Sequence, residues 1–126
     1  MVIGIGTDVI EIGRVEGSIE RFGERFLERV FTAQEIAYCL QKKSSAESFA
    51  ARFAAKEAGA KALGTGISRG VSWREFEVQR APSGKPSIVL SGRAAELAAG
   101  MGVTRISLSL THTRELAMAV VVMENG

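Results

Sequence analysis

Cysteine is almost absent from this chain. Cys39 stands alone among 126 residues, so no internal disulfide can form, and a reducing, cytoplasmic setting is expected. The N-terminus lacks the basic start and long apolar stretch of a secretory signal. No run is long enough to span a bilayer, since even AMAVVVM falls far short of the roughly 20 residues needed. No membrane association is therefore expected. An excess of charge of one sign is missing too: 16 Lys and Arg against 14 Asp and Glu leave a net +2, too little to establish a nucleic-acid binder. Aromatic residues make up 6%, and Trp73 and Tyr38 are too scattered to form the basic-aromatic platform that grips single-stranded RNA. Internal repeats and low-complexity tracts are absent.

What is present suits a globular protein. With 46% hydrophobic and 24% charged residues, residues 1–126 are expected to form a single domain with a core of its own. The chain opens with MVIGIGTDVIEIGRVE, an apolar strand pattern that ends on a carboxylate. Ile3, Ile5, Thr7 and Val9 share one side of that strand, and Gly4, Gly6 and Asp8 share the other. Two glycines in a strand mark close approach by another backbone or a ligand. A carboxylate beside them needs a partner, either as the N-cap of the next helix or as a ligand to a cation. A dinucleotide-binding loop is a weak reading of GIGTDV, because Val9 stands where the third glycine belongs.

Ile12, Val15, Ile19, Phe22, Phe26 and Val30 recur at helical steps, with a break expected near Gly23. Arg14, Arg21 and Arg25 lie on another face. With Glu20, Glu24 and Glu28 between them they read as a solvated surface, or else as a stripe that steers an acidic partner. Thr32 and Glu35 have capping-box spacing, Phe31 and Ile36 that of a hydrophobic staple, and a helix to about Lys42 follows. Ser44 and Glu47 repeat the box spacing. The helix after it, about Ala46 to Leu63, is crowded with alanine. There Glu57 and Lys61 sit one turn apart, either as a surface ion pair worth about 0.3–0.5 kcal/mol or as a metal ligand beside a phosphate-binding cation. Gly64 ends this helix, so the dipole gives no help to an anion at Gly64-Thr65-Gly66. Trp73 to Arg80 alternates as a strand with Phe76 and Val78 inward, and APSGKP turns it into a hairpin with SIVL. A short helix ending at Gly100 or Gly102 and two apolar strands joined through THTRE complete the chain. The only histidine, His112, falls at that last turn, where a lone His is more often structural than catalytic.

Taken together, GTDVIEIGRVE, FTAQE, RFAAKEAGAKALGTGI, GKP and SLTHT resemble, in order and over nearly the whole chain, the holo-acyl-carrier-protein synthases, the short type of phosphopantetheinyl transferase. The resemblance implies an α+β fold in which a small antiparallel sheet packs against the long alanine-rich helix, and assembly as a homotrimer with sites between subunits. It implies transfer of 4'-phosphopantetheine from coenzyme A to a serine of apo acyl carrier protein, with release of adenosine 3',5'-bisphosphate, in the service of lipid synthesis. It implies Mg²⁺ held by Asp8 and Glu57, a hard cation that takes one or two carboxylates plus water and phosphate oxygens. Lys61 and His112 join these two as the expected catalytic set. Arg52, Lys61, Gly64, Gly66, Lys85, Pro86 and His112 are the expected coenzyme A contacts, and Arg14, Arg21 and Arg25 the docking face for the carrier. Thr111 stands where many members carry Ser, which keeps a hydroxyl. The base that takes the serine proton is left among Asp8, Glu57, His112 and a metal-held water, with the water favoured. A small RNA-binding module and a Mg²⁺-dependent nucleotide hydrolase are the rival readings.

Overall fold

Alanine and two glycines determine how the centre of the molecule is built. Helix α4 (Ser45–Leu63) is buried on nearly every side, with twelve of its 19 residues inaccessible, so elements must approach it closely from several directions. On one side runs strand β1 (Val2–Glu11), where a Cβ added at Gly4 would overlap the Ala62 carbonyl oxygen and one at Gly6 the Ala58 carbonyl oxygen. The glycines expected to mark a close approach therefore receive the backbone of a helix, and the space beside them is filled rather than open to a ligand. On the other side a Cβ at Gly59 would come within 2.9 Å of the Phe76 ring. Small residues let the two layers meet at backbone distance.

The computed structural model describes residues 1–126. After β1 come α1 (Ile12–Phe22), α2 (Glu24–Val30), α3 (Ala33–Leu40) and α4, then a 3-10 turn at Trp73–Glu75. Strands β2 (Phe76–Arg80) and β3 (Pro86–Leu90), helix α5 (Gly92–Met101), and strands β4 (Arg105–His112) and β5 (Leu116–Glu124) follow. The main sheet is antiparallel in the order β1-β5-β4, and β2-β3 form a separate hairpin. Gly6 pairs with Val121 and Asp8 with Ala119, so the face carrying Gly4, Gly6 and Asp8 is the one that covers α4. No helix is long and apolar enough to cross a membrane.

Local signals explain most boundaries. Gly23, at φ 57°, separates α1 from α2 as expected, and Thr32 and Glu35 form a full capping box at the start of α3. That helix stops at Leu40, two residues short of the expected end. Two expectations fail, both through the same four-residue signal. Ser44 precedes α4 without any side-chain cap bond, and Glu47 turns instead to His112, 3.6 Å away. The spacing recurs unremarked at Ser72 and Glu75, and there it works: Glu75 accepts from the Ser72 amide at 3.1 Å and its hydroxyl at 3.0 Å. Its other oxygen accepts from the Ala94 amide at 2.7 Å, at the start of α5. Trp73–Glu75 is therefore a tight turn, not the first part of a strand, and the strand begins only at Phe76.

Charge is buried at the middle of the fold. Lys56 is fully inaccessible and Glu35 nearly so, with 2.7 Å between Nζ and Oε1. Lys56 also donates to the Phe76 carbonyl at 2.8 Å and the Trp73 carbonyl at 3.3 Å. Glu35 accepts from the amides of Thr32 and Val78, each at 2.8 Å. Burial holds the Lys56 ammonium below its usual range, while Glu35 pulls it back up. Burial also pushes the Cys39 thiol up to about 11, so that cysteine is inert packing and not a nucleophile.

The two classes of glycine should separate cleanly in equilibrium unfolding by urea. Gly6→Ala forces β1 off α4 and is expected to cost about 3 kcal/mol or more, the upper end for an overpacked contact. Gly17→Ala, in exposed helix with nothing within 4 Å of the new methyl, is expected to add about 0.4–1 kcal/mol.

Candidate active site

The edge of the main sheet and one face of α4 bring the expected acidic and basic residues together. Strand β1 is an edge strand, so its outer carbonyls are free of sheet pairing. Lys61 reaches across and donates to the Thr7 carbonyl at 3.0 Å and to Asp8 Oδ1 at 3.1 Å. Asp8 is not a helix cap, because Glu11 occupies the N-cap of α1. Contacts step regularly along the two elements, Gly4 against Ala62 and Gly6 against Ala58. One further step of two strand residues per helical turn brings Asp8 level with the turn at positions 54–58, which carries Glu57. Glu57 is half-buried, and its Oε1 accepts from the Trp73 indole at 2.9 Å. Each carboxylate thus spends one oxygen on an organic cation or an indole, leaving Asp8 Oδ2 and Glu57 Oε2 without a protein partner. No group of three or more His, Cys, Asp or Glu residues gathers anywhere. A two-carboxylate donor set of this kind suits Mg²⁺, which fills its remaining positions with water and phosphate oxygens.

A second group gathers at the other end of α4. His112 lies beside Glu47, and Arg52 lines the same cleft of about 270 Å³ with Lys42, Lys43 and Arg80. Arg52 is 3% exposed, stacks 4.4 Å from the Tyr38 ring and donates to the Ser48 carbonyl at 3.3 Å. Its Nε is buried with no partner. Burial tends to raise the Tyr38 phenol, but Lys42, Arg80 and Arg52 outweigh it and leave the group below its usual value. This cleft is a basic pocket suited to a phosphate. Lys85 and Pro86 sit at the β2-β3 turn, where Arg80 ties down the Gly84 carbonyl at 2.6 Å. Gly64 and Gly66 have positive φ, and their amides both donate to the Ala60 carbonyl at 3.1 Å, which makes the loop a helix cap.

No ion pair joins the two groups within a chain. Fourteen residues of α4 separate Glu47 from Lys61, about 21 Å along the helix axis. The arginine stripe is exposed throughout, and the break at Gly23 puts Arg25 on α2 while Arg14 and Arg21 lie on α1. None of the three is in an ion pair, so the interleaved glutamates do not neutralise them. Sequence reasoning missed two residues that build the site, Lys56 and Trp73. Lys56 holds the Trp73 carbonyl and Trp73 holds Glu57. The signal available was the Ser72–Glu75 spacing that creates the turn.

An edge-strand carboxylate and a helix carboxylate beside a lysine, with a basic cleft elsewhere, form a surface chemically suited to a phosphate-bearing ligand. The chain belongs to the 4'-phosphopantetheinyl transferase superfamily, whose family model matches residues 4–121. It is 50% identical over 125 residues to the holo-[acyl-carrier-protein] synthase of Koribacter versatilis, covering 99% of this chain and 100% of that protein. The crystal structure of holo-[acyl-carrier-protein] synthase from Neisseria meningitidis superposes with a TM-score of 0.90 at 36% identity, covering 99% of this chain and 100% of that one. The Helicobacter pylori synthase, solved in complex with coenzyme A, gives 0.84 at 36% identity, covering 95% and 99%. This chain is accordingly an enzyme of the holo-acyl-carrier-protein synthase kind, a transferase acting on coenzyme A.

The Asp8–Lys61 pair is a weak structural contact, since the Lys61 side chain is 53% exposed. Asp8→Asn is expected to change unfolding free energy by less than about 1 kcal/mol. Thermal unfolding checks it: a larger loss would mean that Asp8 serves the fold rather than the chemistry.

Proposed function

We propose that residues 1–126 act as one domain that moves 4'-phosphopantetheine from coenzyme A to a serine of apo acyl carrier protein, with Mg²⁺, and releases adenosine 3',5'-bisphosphate. The observation that supports this reading is the Lys61–Asp8 contact across the sheet edge, one helical turn from Glu57, with one oxygen of each carboxylate free of a protein hydrogen bond. When bound, Mg²⁺ supplies charge neutralisation on the diphosphate. Asp8 Oδ2 and Glu57 Oε2 would hold it, and a water hydrogen-bonded to these carboxylates would take the serine proton and pass it to them. The serine oxygen attacks the β-phosphorus, and the bond from that phosphorus to the bridging oxygen breaks. Lys61 exchanges part of its contact with Asp8 for the negative charge that grows on the departing bisphosphate. Arg52 and His112, with Lys85 and Pro86 at the hairpin turn, receive the nucleotide's 3'-phosphate and adenine side. Gly64 and Gly66 shape the adjoining loop.

His112 and the Asp8–Lys61 pair make no contact with each other within the chain, and in our reading a second chain completes a site that uses both. The outer face of the main sheet suits such an assembly. Ile5 is 61% exposed and Val9 56%, and they pair in register with Val122 and Met118. In our reading three copies cover this apolar face and share their sites. Arg14, Arg21 and Arg25, unpaired and exposed, meet the acidic helix of the carrier, a docking face that a nucleotide hydrolase does not need. The RNA-binding reading is disfavoured by the commitment of the Trp73 indole to Glu57.

Mixing the protein with Mg²⁺, coenzyme A and apo carrier, and weighing the carrier, is the direct test. A gain of one phosphopantetheine is expected, and Asp8→Asn should lower its rate by about 10²–10³-fold; an undiminished rate would remove the metal assignment. Met118→Asp should convert an assembly of three 13.4 kDa chains into folded, inactive monomers in sedimentation equilibrium. Persistence of the trimer would show that another face joins the copies.

A further inference from the structure

Trp73 is the only tryptophan in the chain, and several neighbours hold it although it is only partly buried. Its carbonyl accepts from the buried Lys56 at 3.3 Å. Its ring sits 6.2 Å from that of Phe53, inclined at 32°, and Arg29 lies 5.7 Å from its centroid. The Ser72–Glu75 bonds close the 3-10 turn that presents it. The product of this effort is one polar contact: the indole N–H donates to Glu57 Oε1 at 2.9 Å. An indole nitrogen donates and never accepts, and it carries no titratable proton in water. It therefore holds one carboxylate oxygen without competing for metal and without changing charge.

We propose that Trp73 is a positioning residue for metal binding. Its indole clamps Glu57 Oε1 so that Oε2 alone faces the ion, and this limits Glu57 to one ligand atom. The inference rests on Glu57 being a metal ligand, as argued above. Lys56 and Glu57 are adjacent on α4, and each holds a different part of Trp73. The buried charge fixes the main chain of the turn, the turn fixes the indole, and the indole fixes the carboxylate. Partners that orient a ligand in this way typically contribute about 10–100-fold in metal affinity.

The test is a titration of the whole protein with Mn²⁺ in the presence of coenzyme A, following free Mn²⁺ by electron paramagnetic resonance. Trp73→Phe keeps an aromatic ring, though a smaller one, and removes the donor. It is expected to weaken Mn²⁺ binding by about 10–100-fold while circular dichroism and thermal unfolding stay near those of the parent. Glu57→Gln should lose binding more severely. If Trp73→Phe binds Mn²⁺ like the parent while Glu57→Gln does not, the positioning role is wrong and the ligand assignment stands. If Glu57→Gln also binds like the parent, both are wrong. The unmodified protein gives a second readout that does not depend on Trp73→Phe folding: its indole emission should shift on saturation with Mg²⁺ and stay unchanged in Glu57→Gln. Emission indifferent to Mg²⁺ in the parent would overturn the proposal.

Discussion

The buried pairing of Lys56 with Glu35 is the constraint on which the rest of the molecule turns. Taking two charges out of water is expensive, and the attraction between them offsets that expense only if the remaining protons and lone pairs are also met. Here they are. The ammonium reaches Glu35 and two main-chain carbonyls, and the carboxylate takes two main-chain amides besides. Those partners belong to α3, α4, the Trp73 turn and β2. An apolar pair could pack as tightly, but it could not dictate which carbonyl and which amide must converge. The ion pair thus specifies the arrangement more than it strengthens it, and through Trp73 that specification extends to Glu57 at the protein surface.

Where sequence carried the answer, it did so through backbone chemistry. The alternation at the first strand placed Gly4, Gly6 and Asp8 on one side, and the sheet register agrees. Thr32 and Glu35 announced a helix start and formed one. The alternation up to Arg80 and the APSGKP turn located the hairpin, though not where its first strand begins. What was illegible depended on contacts between distant segments. Glu35 looked complete as a capping residue, and nothing local revealed that its carboxylate also neutralises a lysine 21 positions later. Ser44 and Glu47 have the spacing of a cap, but His112, from the far end of the chain, lies close to Glu47. Trp73 and Arg74 fit a strand pattern by alternation alone, and lost to a turn whose acidic residue serves two helix-like starts at once.

The candidate site was legible in part for the same reason. Asp8 stood out because a carboxylate at the end of an apolar strand must have a partner, and Lys61 supplies one. Glu57 was distinguishable from an ordinary helix surface residue only through the resemblance of its surrounding motif. The approach of His112 to Glu47 was not legible at all, since sequence distance carries no information about which part of a helix a later strand will reach.

The contact between β1 and α4 has a further consequence. Two strand positions without side chains rest against two helix carbonyls, so the gap between Asp8 and the helix that bears Glu57 is gauged by main chain alone. A methyl group at either position would lift the strand, and the carboxylate it carries, away from the helix, so the reactive spacing is written into two places where the chain has nothing to offer but its backbone.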